Sequence, residues 1–165
     1  SSYIRHHAHP DLSGAKMNGN YINSIMALKE AQSHGFDEAL MLDVEGSVSE
    51  GSGENIFVIK DEVLYTPHLS SALPGITRDT IFTLAKSLGH KVVEKKISCE
   101  DIYQADEAFF TGTAAEVTPI RDLDGNQIGI GSRGPITEKL QSLYFDCVHG
   151  RNDEFLHWIE NGRCS

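Results

Sequence analysis

Apolar residues recur at intervals of three and four positions in three long segments of the chain, which is the spacing that lines one face of an α-helix. In the first segment Ile22, Ile25 and Met26 follow this spacing. Thr77 is the predicted N-cap of the second segment, and Gly89 is placed to end it. The predicted helices cover residues 20–34, 77–88 and about 135–148.

Shorter apolar runs between these helices are bounded by turn residues and are typical of β-strands. They cover residues 38–43, 47–49, 55–60, 63–66, 91–97, 107–111, 117–123 and 127–130. A turn at residues 45–46 separates the first two strands and a turn at residues 61–62 separates the next two, so a β-meander is expected there. Ser98 is predicted to cap a short helical turn. Because the strands cluster and do not alternate strictly with helices, the pattern predicts a mixed α/β or α+β domain with a curved sheet.

The 165 residues include 24 acidic residues against 14 lysines and arginines, which gives a formal net charge of -10. A surface of this sign repels phosphate groups, so bulk electrostatics excludes nucleic acid and anionic membranes as partners. A hydrophobic fraction of 39% is enough for one core and indicates one domain. No apolar run approaches the roughly 20 residues that span a bilayer, and no signal peptide is evident, so we expect a soluble protein of the cytoplasm.

Cysteine, histidine and aspartate patterns predict neither a disulfide nor a metal site. The three cysteines are odd in number and too widely spaced for a disulfide framework or a zinc motif: Cys99, Cys147 and Cys164. His6, His7 and His9 lack a carboxylate partner in the sequence, so an exposed loop is favoured over a metal site. Residues 122–125 resemble part of a calcium loop, but the glutamate expected further on is absent, and a β-turn is favoured.

Three loops rich in small residues are suited to a close approach between backbone and ligand: residues 49–55, 73–78 and 111–116. In the second loop, Gly75 and Ile76 come immediately before a predicted helix. The first free N–H groups of that helix, with the Thr77 hydroxyl, would form an anion site. An ordinary Pro-Gly turn with a capping threonine is the alternative. The glycine-rich nucleotide-binding motifs are absent.

Lys16 lies among small and polar residues just before the first predicted helix. A lysine that is desolvated near the positive end of a helix dipole has a lowered pKa, which is the property that a Schiff-base lysine needs. A solvated surface lysine is the alternative interpretation of the same residues.

Separate motifs agree, in order and wording, with one enzyme family. They are A-K-M-N-G-N-Y at 15–21, E-G-S-G-E-N-I-F at 50–57, L-P-G-I-T-R at 73–78 and F-T-G-T-A-A-E-V-T-P-I at 110–120. The chain resembles the class IV (fold-type IV) pyridoxal-phosphate aminotransferases, and among them the branched-chain-amino-acid aminotransferases. The resemblance implies a D-amino-acid-aminotransferase-like large domain over residues 1–150, with a curved pseudo-barrel sheet and surrounding helices. It further implies a helical tail over residues 151–165, and a small N-terminal domain that is absent from this chain.

The resemblance also implies roles for individual residues. Lys16 matches the lysine that forms a Schiff base with pyridoxal phosphate and then moves the α-proton of the substrate. Tyr21 matches the tyrosine that hydrogen-bonds the phenolic oxygen of the cofactor. Glu50 matches the acid that pairs with the pyridine nitrogen and keeps it protonated. The competing acid, Glu54, is expected to orient the loop instead.

The remaining implied positions bind anions. Ile76, Thr77 and Thr113 match the groups that hold the cofactor phosphate, and Thr113 and Ala114 those suited to the substrate carboxylate. No metal is expected. The resemblance implies amino transfer from leucine, isoleucine or valine to 2-oxoglutarate, in an intact enzyme that is a homo-oligomer.

The sequence leaves alternatives open. A D-amino-acid aminotransferase or an aminodeoxychorismate lyase of the same family would keep the cofactor residues and change the substrate pocket. A folded but inert fragment is a third possibility, because the family's small domain supplies an arginine to the phosphate and side chains to the substrate pocket. The tail around Trp158 departs most from the family pattern and is either a docking helix or a frayed end.

Overall fold

The computed structural model describes residues 1–5, 19 and 21–159, which form helices on a central sheet with two smaller strand pairs. The α-helices are α1 (Tyr21–Ser33), α2 (Ile76–Ser87), α3 (Cys99–Tyr103) and α4 (Pro135–Val148), followed by a 3-10 helix (Asp153–Trp158). The strands are β1 (Leu40–Leu42), β2 (Val48–Gly51), β3 (Asn55–Lys60), β4 (Val63–Thr66), β5 (Val92–Glu94), β6 (Glu107–Gly112), β7 (Glu116–Pro119), β8 (Asp122–Leu123) and β9 (Asn126–Gln127).

The central sheet has five strands in the order β5-β4-β3-β6-β7. All its pairs are antiparallel except β4 with β5, and Asn55 at the start of β3 lies opposite Thr111 in β6. Strands β1 and β2 form a separate antiparallel pair, as do β8 and β9. The predicted meander is therefore wrong in part: β3 and β4 form the expected hairpin, but β6 occupies the free edge of β3 where the meander would have placed β2.

Both faces of the sheet are buried at β3 and β6, because α2 and α4 cover one face, and α3, the smaller strands and loops cover the other. Phe57 and Ile59 point into a cluster that also contains Leu84 of α2 and Leu140 of α4. The alternate residues of β3 point into a second cluster, with Ile97, Ile102 and Ile128. Burial on both faces explains why β3 and β6 are continuous apolar runs and do not alternate with polar residues.

The structure confirms the three long helices and the mixed α/β class. Ser98 caps α3 as predicted, in a capping box with Asp101. Thr77 does not cap α2: the helix begins at Ile76, Gly75 is the N-cap, and Thr77 lies buried inside the first turn. The tail is not frayed as far as Trp158, because Phe155 is buried in the cluster that includes Tyr144. Within the described residues, no helix combines the length and the apolar content needed to cross a membrane.

Candidate functional site

The predicted lysine lies outside the part of the chain that the structure describes. Lys16 falls in the gap between residues 5 and 19, as do His6, His7 and His9. Tyr21, the first residue of α1, is described and is half-buried. The placement of Lys16 relative to the other candidate residues therefore stays a prediction, whereas the remaining candidates can be located.

Glu50 is a buried carboxylate on β2, with only 5% of its surface exposed. Its Oε1 atom lies 2.7 Å from Nε of Arg5. Its Oε2 atom accepts a hydrogen bond of 2.9 Å from the backbone N–H of Leu73. Burying a carboxylate is costly unless it is paired and hydrogen-bonded, and both conditions are met here. These contacts favour the ionised form of Glu50.

Arg5 holds Glu50 from the opposite side and was not among the residues that the sequence singled out. Its side chain is 7% exposed, and its backbone N–H donates to the carbonyl of Leu42 at 2.8 Å. Its Nη1 atom lies 3.4 Å from the hydroxyl of Ser24 in α1. The Nε atom makes a charge contact with Glu50 without the alignment of a hydrogen bond. In the sequence, Arg5 stands only as a polar position in a short segment where apolar and polar residues alternate.

The N-terminus of α2 is the second feature of the site. Its N-cap residue is Gly75, which has no side chain, and no side-chain hydrogen bond caps the helix within the described residues. The first N–H groups, those of Ile76 and Thr77, therefore point out of the helix end, where the helix dipole is positive. Ile76 is 85% exposed, whereas Thr77 is buried. This end of α2 is suited to an anion.

The loop after β6 closes the same region. Thr113 and Ala114 are exposed, and Thr113 lines a groove of about 850 Å³ together with Ile76 and Thr77. The pairing of β3 with β6 places this loop next to the start of β3. The three predicted phosphate-binding residues therefore share one groove, although 36 positions separate the second and third of them in the sequence.

Glu54 differs from Glu50 in what surrounds it. Burial and the nearby carboxylate of Glu38 raise the pKa of Glu54, while a hydrogen bond from the N–H of Gly53 opposes that rise. Its side chain lies so close to Gly51 that a Cβ built there would be 2.7 Å from Oε2. Glu54 therefore packs against the ends of β2 and β6 and has an acid as its neighbour, whereas Glu50 is paired with a cation. This difference favours Glu50 as the acid suited to a protonated nitrogen.

The arrangement joins a buried carboxylate to an uncapped helix end. Leu73, which donates to Glu50, is three residues before the first residue of α2. A carboxylate offers about four lone-pair positions, so it can accept from several N–H groups at once. Chemically, the site is suited to a ligand with a protonated nitrogen at one end and an anionic group at the other. The described residues include no cluster of three or more histidine, cysteine, aspartate or glutamate side chains that could hold a metal ion.

Comparison with known proteins gives a consistent result. The model of the family "Amino-transferase class IV" matches residues 1–123. The branched-chain-amino-acid aminotransferase of Pseudomonas aeruginosa is 61% identical over 158 residues, which cover 96% of this chain and 52% of that protein. The enzyme of the same name from Salmonella typhimurium is 50% identical over 147 residues, which cover 88% of this chain and 48% of that protein. The chain spans about half the length of the curated relatives it matches.

Solved structures agree. The T.th. branched-chain amino acid aminotransferase complexed with N-(5'-phosphopyridoxyl)-L-glutamate is 46% identical with a TM-score of 0.94, and the match covers 97% of this chain and 54% of that one. The branched-chain aminotransferase of Thermoproteus uzoniensis with norvaline is 48% identical with a TM-score of 0.92, covering 97% and 53%. The expected fold, a mixed α and β domain of the fold-type IV aminotransferases, is thereby confirmed.

Proposed function

The chain belongs to the class IV aminotransferases, and from that membership we propose that it is the cofactor-binding part of a branched-chain-amino-acid aminotransferase that uses pyridoxal phosphate. The observation that carries the proposal is Glu50: a buried carboxylate, paired with Arg5 and hydrogen-bonded to the loop that leads into the uncapped end of α2. Similar enzymes of known structure are complexed with a phosphopyridoxyl compound and with pyridoxamine 5'-phosphate, which supports this choice of cofactor.

The described residues fit the cofactor. Glu50 would accept the pyridine N–H, and the charge of Arg5 would keep that carboxylate ionised. The N–H groups of Ile76 and Thr77, with the Thr113 hydroxyl, would hold the phosphate at the positive end of the α2 dipole. Local N–H groups would thus bind an anionic ligand even though the net charge of the chain is -10.

When bound, pyridoxal phosphate supplies an electron sink for the electrons left when a Cα–H bond of the substrate breaks. The chain supplies the groups that act around it. The Lys16 amine would anchor the cofactor and carry the α-proton. The Tyr21 hydroxyl would donate to the ring oxygen, and the Thr113-Ala114 backbone would bind the substrate carboxylate. These four roles are proposals.

The substrate class rests on the relatives. Enzymes at 50–61% identity carry the name branched-chain-amino-acid aminotransferase, which favours leucine, isoleucine and valine as amino donors and 2-oxoglutarate as acceptor. A D-amino-acid aminotransferase or an aminodeoxychorismate lyase would share the same cofactor residues and is the second candidate. Assays of the intact enzyme with L-leucine, D-alanine and aminodeoxychorismate separate the three, and we expect turnover of L-leucine alone.

Domain organisation and assembly belong to the same proposal. We propose that residues 1–150 form the large domain and residues 151–165 its tail. We further propose that the intact enzyme also contains a small domain, is a homo-oligomer and is cytoplasmic. The chain spans about half the length of its relatives. The resemblance implies that the family's small domain contributes an arginine to the phosphate and side chains to the substrate pocket. We therefore expect little transaminase activity from the 165 residues alone.

The test is the reaction of the protein with pyridoxal phosphate. Adding the protein should shift the absorbance of pyridoxal phosphate. After reduction with borohydride, peptide mass spectrometry should find the phosphopyridoxyl group attached to Lys16. Lys16→Ala should abolish both signals. Lys29→Ala, at a lysine of α1, should leave them unchanged.

Two results would contradict the proposal. Labelling spread over surface lysines, with equal loss in the Lys16 and Lys29 variants, would indicate nonspecific reaction with the aldehyde. Binding that Glu50→Gln leaves unaltered in both affinity and absorbance would remove the pyridine partner from the proposed site.

A further inference from the structure

Asn55 has no role in the site as proposed so far, yet its side chain lies between the two halves of that site. It is the first residue of β3 and is 6% exposed. Its Nδ2 atom donates to the carbonyl of Leu73 at 2.8 Å and lies 3.5 Å from Oε2 of Glu50. The N–H of Leu73 donates to that same oxygen. Asn55, Glu50 and Leu73 therefore form one closed group of polar contacts.

The same side chain also touches the residue that precedes α2. A Cβ atom built on Gly75 would lie 2.2 Å from Oδ1 of Asn55, closer than any real contact. Gly75 has φ −77° and ψ 138°, a conformation open to any residue, so the backbone angles do not require glycine there. Close packing against Asn55 does require it. The backbone before α2 is thus seated directly on the Asn55 amide.

One side chain therefore contacts both Glu50 and the start of α2. A ligand with a rigid ring gains full affinity from two distant contacts only when their separation matches its own length. We propose that Asn55 is a positioning residue that fixes the distance between the Glu50 carboxylate and the N-terminus of α2, so that one pyridoxal phosphate molecule reaches both. This inference rests on the proposed function.

A purely structural role for Asn55 makes a different prediction. If the side chain only stabilises the loop, its loss lowers folding stability and weakens ring-containing ligands to the same degree with or without a phosphate. If Asn55 instead sets the separation between Glu50 and the N-terminus of α2, each of these two contacts can still form in its absence. What is lost is the added affinity that one ligand gains by making both contacts at once.

The experiment compares pyridoxal with pyridoxal phosphate. In Asn55→Ala, the affinity for pyridoxal phosphate should fall about tenfold or more, because the Glu50 carboxylate and the N-terminus of α2 no longer have the separation that lets one ligand reach both, while the affinity for pyridoxal stays within about threefold. Thr66→Val is the control: it removes a buried hydroxyl that donates to the Ile56 carbonyl in the same sheet, and both affinities should stay as in the wild type. Circular dichroism and the unfolding midpoint establish that each variant is folded.

Gly75→Ala gives an independent test should Asn55→Ala fail to fold. The added Cβ meets Oδ1 of Asn55, so this variant should also lose affinity for pyridoxal phosphate selectively. The double variant Asn55→Ala/Gly75→Ala lacks the Asn55 side chain that the new Cβ would meet. It should therefore bind pyridoxal phosphate no more weakly than Asn55→Ala alone.

Each other outcome overturns the inference. A parallel loss of pyridoxal and pyridoxal phosphate affinity would make Asn55 structural only. Unchanged pyridoxal phosphate affinity in folded Asn55→Ala and Gly75→Ala would leave it without a role. If the wild type and Thr66→Val also fail to bind, the proposed function itself has failed, and the inference falls with it.

Discussion

Helices α2 and α4 begin in closely similar ways but satisfy their first N–H groups differently. Each has a glycine N-cap followed within two residues by Ile-Thr, and each glycine packs against a polar side chain from the central sheet. At α4 that side chain is the carboxylate of Glu107, which accepts from the N–H groups of Ile136 at 3.0 Å and Thr137 at 2.7 Å. At α2 it is the neutral amide of Asn55.

The difference suggests a separate role for each helix end. The protein supplies its own anion at α4, so that end is closed and serves the fold. At α2 a neutral side chain occupies the corresponding position, and in the proposed function the N–H groups of Ile76 and Thr77 would bind an external anion. The contrast predicts that changes at α4 alter folding stability without altering ligand binding, and that changes at α2 do the reverse.

The largest effect is expected from Glu107→Ala. The change leaves two N–H groups without their acceptor at a buried helix end, and we expect the free energy of unfolding to fall by about 3 kcal/mol. Urea unfolding measures this. Glu138→Ala, which removes an exposed acid of the same helix, is the control and should cost less than about 1 kcal/mol. Equal costs for the two variants would show that the α4 end does not depend on its internal anion.

A smaller effect, of the opposite kind, is expected from Ile76→Pro. Proline is accepted at the first position of a helix, as Pro135 shows in α4, and the backbone angles of Gly75 suit a residue before proline. The change removes one N–H group and little else. Unfolding free energy should stay within about 0.5 kcal/mol, while pyridoxal phosphate affinity falls about tenfold. Ile76→Ala, which keeps the N–H, should bind normally; if it loses as much affinity, the side chain and not the N–H holds the ligand.

The smallest effect concerns α3, the helix that its own sequence caps. Hydrogen bonds from the Ser98 side chain and then from its backbone lower the pKa of Asp101 to about 2. A lowered pKa means that the ionised form stabilises the fold above pH 3.8, and that this contribution is lost as the pH falls through about 2. Asp101→Asn should therefore be less stable than the wild type at neutral pH and converge with it near pH 2, as measured by urea unfolding across this pH range.

Ser98→Ala sharpens this test, because it removes the hydroxyl that lowers the pKa of Asp101 most. When Ser98→Ala is already present, adding Asp101→Asn should cost less stability at neutral pH than it costs in the wild type. A cost of Asp101→Asn that is independent of pH would mean that the carboxylate contributes through its shape and not its charge.

These helix ends also mark the limit of prediction from sequence. The α3 cap was predictable, because Ser98 and Asp101 are three residues apart and form a local motif. The start of α2 was predictable from the Pro-Gly turn before it, although the cap was wrongly assigned to Thr77, and the anion site at this helix end stays a prediction. The closure of α4 was not predictable, because Glu107 and Thr137 are 30 residues apart and only the packing of α4 on β6 joins them.

The candidate site divides in the same way. Motif agreement was enough to select Glu50, Ile76, Thr77 and Thr113 and to weigh Glu50 above Glu54. It gave no indication of Arg5, whose partner is on another strand, or of the contact between Asn55 and Gly75. Such contacts depend on where strands and loops are placed relative to one another, and no short sequence window contains that information.

The sequence by itself determined the long helices, the apolar strands, the local cap of α3 and the family, because periodicity, capping and motifs are properties of neighbouring residues. Tertiary structure alone decided the order of the strands, the pairing of Arg5 with Glu50 and the identity of the group at each helix end. The physical reason is that hydrophobic burial is non-directional: it specifies which face of an element is covered but not by what. Charges and hydrogen bonds distinguish the partners only after folding has brought them within about 3 Å.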